Sequence, residues 1–206
     1  MTDMLTPQQQ SYLLSLARGT LEHFFATGKR LVINELDIPA SSAGKSREDL
    51  EKRGTFVSLH KNGELRGCIG HIEPVQEIYK DVIDNALAAT FEDTRFLPLE
   101  AEELPEIEIE ISVLTQPQEL KYSSVDDLLA KLVPSRDGVI IRKGYRGATY
   151  LPQVWEDLTN KEEFLSSLCQ KAGLPADEWR SGELGIWTYE AEVFSEMSNS
   201  PNSSNF

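Results

Sequence analysis

Cysteine is nearly absent from this chain. Cys68 and Cys169 are the only two in 206 residues. They stand far apart and outside any C-x-x-C arrangement, which argues against a disulfide framework and a cysteine-rich zinc site and fits a reducing compartment. No run of about 18 apolar residues occurs, so no membrane-spanning helix is expected. The Met1-Thr2-Asp3-Met4 start carries neither the basic nor the apolar region of a secretory signal, and the expected location is the cytoplasm. Positive charge is scarce as well: 20 Lys and Arg stand against 34 Asp and Glu, a net charge of −14. A surface that acidic repels phosphate backbones at long range, so generic nucleic acid is not an expected partner. H-E-x-x-H, a Rossmann glycine fingerprint and a G-x-S-x-G elbow are all missing, and neither a metal nor a cofactor is expected.

What is present is concentrated in Leu65-Arg66-Gly67-Cys68-Ile69-Gly70, followed by His71. A thiol, a guanidinium and two glycines in one short strand suggest a site, because glycine weakens a strand unless something approaches its backbone closely. Thr55 to His60 is rich in β-formers, and Asn62-Gly63 is the signal for a type I′ hairpin. A tight hairpin sets Val57 opposite Cys68 and Leu59 opposite Arg66, with Arg66 and Cys68 on one face. Two readings of Cys68 follow. In one, Arg66 favours the thiolate and shapes a small anionic or nucleophilic pocket with Gly67 and Gly70. In the other, Val57 and Leu59 make that face core and Cys68 is a small buried hydrophobe.

Along the rest of the chain, Thr6-Pro7-Gln8-Gln9 reads as a capped helix start, and apolar spacing carries the helix to about Ala26. Pro39 to Lys45 reads as a polar loop; its Gly44-Lys45-Ser46 lacks the earlier glycine and strand of a P-loop. Pro74 opens a second helix with Val75, Ile78, Tyr79, Val82, Ala86 and Ala89 as its buried stripe, ending near Glu92. Glu106 to Ile111 alternates strictly, a strand with isoleucines inward and solvated glutamates outward. Val125 to Leu132 is a short helix, and Gly138–Arg142 with Arg146–Leu151 a second hairpin. A helix from Lys161 puts Cys169 in the core, and Ile186 to Phe194 is a last strand. Residues 195–206 read as a disordered tail. Helices interspersed with hairpins imply an α+β fold on mixed or antiparallel sheets.

Several blocks occur together: Leu65 to Gly70, Phe91 to Phe96 with Pro98-Leu99, Glu102 to Pro105, Glu110 to Leu114, Ala148 to Trp155 and Leu168 to Leu174. In this order they resemble the AMMECR domain, whose microbial members are called AmmeMemoRadiSam system protein A. The resemblance runs from about Tyr12 to Phe194 and implies one domain over residues 1–194, built from a larger and a smaller α/β lobe. It further implies company with a Memo-like protein and a radical S-adenosylmethionine enzyme, but no settled activity. Because Asp93-Thr94-Arg95-Phe96 matches the family pattern, Arg95 joins Arg66, Gly67, Gly70 and His71 as a candidate ligand- or partner-binding residue. The simple role for Arg95 is a salt bridge to Asp93.

Two functions are therefore in play. An accessory protein would use this surface to recognise a partner or a small anionic ligand. A cysteine enzyme would use Cys68, with Arg66 as activator and His71 as base; that pair requires the chain to turn at Gly70, since three residues along a strand reverse the face. Arg142, Lys143 and Arg146 form a small basic cluster at the second hairpin, the best other anchor for an anion.

Overall fold

The computed structural model describes residues 4–33 and 52–197. The Pro39–Lys45 loop and the tail beyond Met197 lie outside the described residues. In chain order the elements are α1 (Pro7–Thr27), β1 (Thr55–Lys61), β2 (Glu64–His71), α2 (Ile78–Phe91), β3 (Ile107–Leu114), β4 (Gln118–Glu119), α3 (Val125–Lys131), β5 (Gly138–Lys143), β6 (Arg146–Tyr150), α4 (Lys161–Lys171), β7 (Gly185–Tyr189) and β8 (Ala191–Ser195). The fold is α+β, with two four-stranded sheets ordered β2-β1-β3-β8 and β4-β7-β5-β6. The chain divides into two units, one of residues up to Leu114 together with those from Glu192, the other Thr115–Ala191.

In the first unit α1 begins as the sequence predicts. The Thr6 side chain accepts from the Gln9 backbone, Gln9 reciprocates, and Pro7 takes the first turn. Gly28 ends the helix at φ 70°, a left-handed conformation glycine adopts without strain. Asn62 and Gly63, at φ 53° and 80°, make the I′ turn between β1 and β2. Val57, Leu59, Ile109, Ile111 and Val113 alternate onto one face of the sheet and pack with Leu13, Leu21, Val82 and Ala86 of α1 and α2. Each such burial contributes about 1.5–3 kcal/mol. Ser58, His60, Glu108 and Glu110 alternate onto the other face. Arg18 fastens the C-terminal end to this unit: it pairs with Glu196 and donates to the carbonyls of Leu104 and Ile107.

Two expectations need correction here. The second helix starts at Ile78 rather than Pro74, because Glu77 is extended and bridges to Lys52; Val75 is consequently exposed. The expected last strand is two strands, β7 and β8, separated at Glu190 and belonging to different sheets. Strand-forming residues on both sides of Glu190 carry no mark of such a change of sheet.

In the second unit α3 and α4 pack with β5 and β7 around Trp155, Phe164, Leu168, Cys169 and Trp179. The rings of Trp155 and Phe164 stack with centroids 3.6 Å apart. Cys169 is core, as its helical spacing predicts, and burial pushes its thiol pKa up.

Candidate functional site

Counted back from the Asn62-Gly63 turn, Leu59 should face Arg66. Instead Lys61 pairs with Glu64 and His60 with Leu65, after which the register slips: Leu59 pairs with Gly67, Ser58 with Cys68 and Val57 with Ile69. Arg66 is the extra residue of a β-bulge. A slip of one residue moves every later side chain to the opposite face. Cys68 therefore leaves the helix-covered side, and its reading as a core residue behind Val57 and Leu59 is corrected. It is a half-buried free thiol, and the Ser58 hydroxyl donates to its sulfur at 3.2 Å.

The same slip turns Gly67 toward α2. A Cβ there would run into the Ala89 carbonyl, so the glycine lets helix and strand approach closely. Gly70 pairs with Phe56, and its missing side chain leaves room for the Phe56 ring and the Thr55 carbonyl. Both motif glycines answer to packing at these positions.

Arg66 does not turn to the sulfur. Its guanidinium pairs with Glu103 at 2.9 Å and donates to the carbonyls of Leu97 (2.8 Å) and Pro98 (3.4 Å). That pairing, helped by the Glu100 N–H and by Lys61, holds the Glu103 carboxyl at about 2. The bulge thus ties β2 to the segment leading into β3. An activating role of Arg66 on Cys68 loses its geometric basis.

Arg95 is the basic group that reaches the cysteine, through the backbone. Asp93 is buried and grips two things at once: Oδ2 accepts the Cys68 N–H at 2.8 Å, and its two oxygens take the Arg95 guanidinium at 2.9 and 2.7 Å. Arg95 donates in turn to the Cys68 carbonyl at 3.4 Å. The Arg95 guanidinium, with the backbone N–H groups, holds the Asp93 carboxyl well below the usual carboxylate range. The expected Asp93–Arg95 salt bridge is present, and the grip on the Cys68 peptide is what the sequence did not disclose. Arg95 keeps 57% of its side chain exposed beside the Phe96 ring, and Leu97 is 83% exposed.

His71 lies elsewhere. β2 runs straight through Gly70 to His71, so the turn needed for a Cys68–His71 pair is not made and the two side chains take opposite faces. The imidazole meets Asp81 of α2. The basic hairpin of the second unit is internally engaged: Lys143 pairs with Glu178 and Glu183, Arg146 donates to the Gly173 carbonyl, and Arg142 lies over Trp187. Among the described residues no group of three or more His, Cys, Asp or Glu is placed to hold a metal ion.

The AMMECR1 family model matches residues 14–194. This chain belongs to the AMMECR1 family. It is 37% identical to Protein MK0488 of Methanopyrus kandleri over 204 residues, covering 95% of this chain and 92% of that protein. It is 35% identical to Protein MJ0810 of Methanocaldococcus jannaschii over 201 residues, covering 94% and 93%. The crystal structure of uncharacterized protein PH0010 from Pyrococcus horikoshii matches with a TM-score of 0.80 at 33% identity and 93% coverage of each chain. In this AMMECR1 chain the Leu65–Gly70 block is β2, and the Asp93–Arg95 block is the clamp upon it.

Proposed function

We propose that this AMMECR1-family chain is an accessory, recognition component that works with a Memo-like protein and a radical S-adenosylmethionine enzyme. The observation that carries the recognition part of this reading is the Asp93 clamp, while the two partners rest on the family resemblance. One buried carboxylate fixes both the Cys68 peptide and a largely exposed guanidinium, which leaves the Arg95 head rigid and turned to solvent. A positioned arginine of this kind suits a carboxylate or phosphate on a partner or a small anionic ligand. The exposed Leu97 nearby supplies apolar contact area.

The cysteine-enzyme alternative is less well supported, because among the described residues the Cys68 sulfur receives the Ser58 hydroxyl, Arg66 and His71 are committed elsewhere, and the nearby Arg95 cation is paired with Asp93. A nucleophilic thiol needs an adjacent base or cation.

Pull-downs of the full chain with the two partner proteins test this. Arg95→Ala is expected to weaken capture by about 1.5–3 kcal/mol, the worth of a charge-assisted hydrogen bond, while Cys68→Ser leaves it nearly unchanged. An activity of the purified chain alone that vanishes in Cys68→Ser would replace this reading with the enzyme.

A further inference from the structure

On the face of β2 opposite Cys68, His71 ends the strand with 45% of its side chain exposed. Its Nδ1 lies 2.9 Å from Oδ1 of Asp81, a carboxylate that is 1% exposed. The other Asp81 oxygen meets the Thr55 hydroxyl at 2.5 Å and the Asn85 amide at 3.0 Å. Asn85 also donates to the Thr55 hydroxyl oxygen at 2.9 Å, so that hydroxyl directs its own proton to Asp81. Asp81 is thus an acceptor toward its neighbours, and Nδ1 of His71 carries the proton between them. The lone pair is left on Nε2, which has no hydrogen-bond partner among the described residues.

This arrangement is more than a satisfied histidine at a strand end. A buried carboxylate that fixes tautomer and ring orientation, behind an imidazole whose second nitrogen is open, is the arrangement a general base needs.

We infer that His71, oriented by Asp81, is a second site of this protein: a preset proton acceptor for a neutral or cationic ligand bearing an O–H or N–H. The ligand's O–H or N–H bond breaks as the Nε2–H bond forms, its electron pair stays on the ligand's oxygen or nitrogen, and Nδ1–H of the imidazolium remains hydrogen-bonded to Asp81. The ligand class follows from the surroundings. Gln76 bridges Asp81 (3.4 Å) to Asp84 (2.8 Å), Arg30 is paired with Asp84, and Lys80 with Glu77. Lys52 also acts on Glu77, so Asp84 and Glu77 each have a cationic partner, whereas Asp81 has no Lys or Arg partner among the described residues, and that carboxylate disfavours an anion.

The full chain is treated with diethylpyrocarbonate, which attacks an unprotonated ring nitrogen, and each histidine is followed by mass spectrometry; long-range ¹⁵N spectra report the tautomer. His71 is expected to carry its proton on Nδ1 and to react about tenfold or more faster than His60, whose Nε2 is buried. Asp81→Asn retains an acceptor for Thr55 but presents an amide N–H to Nδ1, which moves the proton to Nε2 and slows the His71 reaction by a similar factor. Should that variant not fold, the wild-type tautomer decides. An Nε2–H tautomer in the wild type, or a His71 rate no greater than that of His60, overturns the site. Titration with ethanolamine is expected to shift the His71 ring resonances and inorganic phosphate to leave them in place; a response to phosphate alone overturns the ligand class. Arg95→Ala should change none of these readouts, so this site and the Cys68 surface stand or fall separately.

Discussion

The Thr115–Ala191 unit and the unit that carries Cys68 bury different kinds of side chain. The former has an aromatic interior, with Trp155 stacked on Phe164 and Trp179 close to Cys169, and Asp137 is its one buried polar or charged residue among those described. The latter has an aliphatic interior and buries Arg53, Thr55, Ser58, Asp81, Asn85, Asp93, Ser112 and Glu192 among others. Burying polar groups is poor economy for stability even when each is hydrogen-bonded. Where they gather beside half-exposed functional groups, they position chemistry. The Asp93 clamp under Cys68 and the Asp81 network under His71 are both of this kind, and both lie in the first unit. Within the function proposed above, the second unit serves as scaffold.

The sharpest way to break this contrast is to strike the scaffold. Trp155 is buried, stacked on Phe164, and donates its indole N–H to the Asp137 carbonyl. Trp155→Ala should cost about 3–5 kcal/mol by cavity formation. A loss under 1 kcal/mol, read from denaturant melts, would show that the aromatic interior is not what holds this unit. Gly67→Ala should cost less, about 1–3 kcal/mol, because the new methyl forces α2 away from β2. All three tryptophans, Trp155, Trp179 and Trp187, fall within Thr115–Ala191. Their fluorescence should therefore follow Trp155→Ala closely and Gly67→Ala little.

The order of these effects also shows what a single sequence discloses. The capping box at Thr6, the Asn62-Gly63 turn, the isoleucines of β3 and the Cys169 stripe are local patterns, and the structure repeats them. The bulge at Arg66 is not local: it follows from Gly67 admitting α2 and from Arg66 reaching Glu103, both long-range contacts. That single slip decided which face Cys68 takes. Asp93 was legible as a partner for Arg95 because the two are close in sequence, but its hold on the Cys68 peptide spans 25 residues. Asp81 and Asn85 sit one turn apart on α2 and gave no signal beyond an ordinary amphipathic helix.

Charge gives a gentler test, because the largest shifts differ in sign between the units; the lowered carboxyls of the second unit, Asp127 and Glu178, sit in solvent-screened ion pairs. Arg66 holds the Glu103 carboxyl at about 2, and Arg95 holds Asp93 low as well. A carboxyl depressed in the folded state adds stability that is complete above its unfolded value, about 4.3 for Glu, and is lost as pH falls through the folded value. In the second unit burial pushes the Tyr189 phenol up to about 12. Its contribution is complete below the unfolded value of about 10 and is lost as pH rises toward 12. Between pH 4 and 2 the circular-dichroism melt should weaken ahead of the tryptophan signal, and above pH 10 the tryptophan signal should weaken first. Coincident transitions at both extremes would mean that the two interiors do not respond independently.

The smallest expected effect concerns the two thiols. Cys169 is buried in the aromatic interior with its pKa raised, whereas Cys68 is half-buried beside the Ser58 hydroxyl. Only a thiolate that solvent can reach is alkylated readily, so iodoacetamide should label native Cys68 well before Cys169. Equal protection of both would return Cys68 to the interior and remove the distinction between the units at this residue. Cys68→Ser should then shift stability by no more than about 0.5 kcal/mol, the range for a substitution away from the core. The added hydroxyl can exchange a hydrogen bond with Ser58, and Asp93 and Arg95 contact only the backbone of residue 68. A loss of about 2 kcal/mol or more would show that the sulfur packs as a core atom, and Asp93 would then be clamping a structural strand rather than a presented surface.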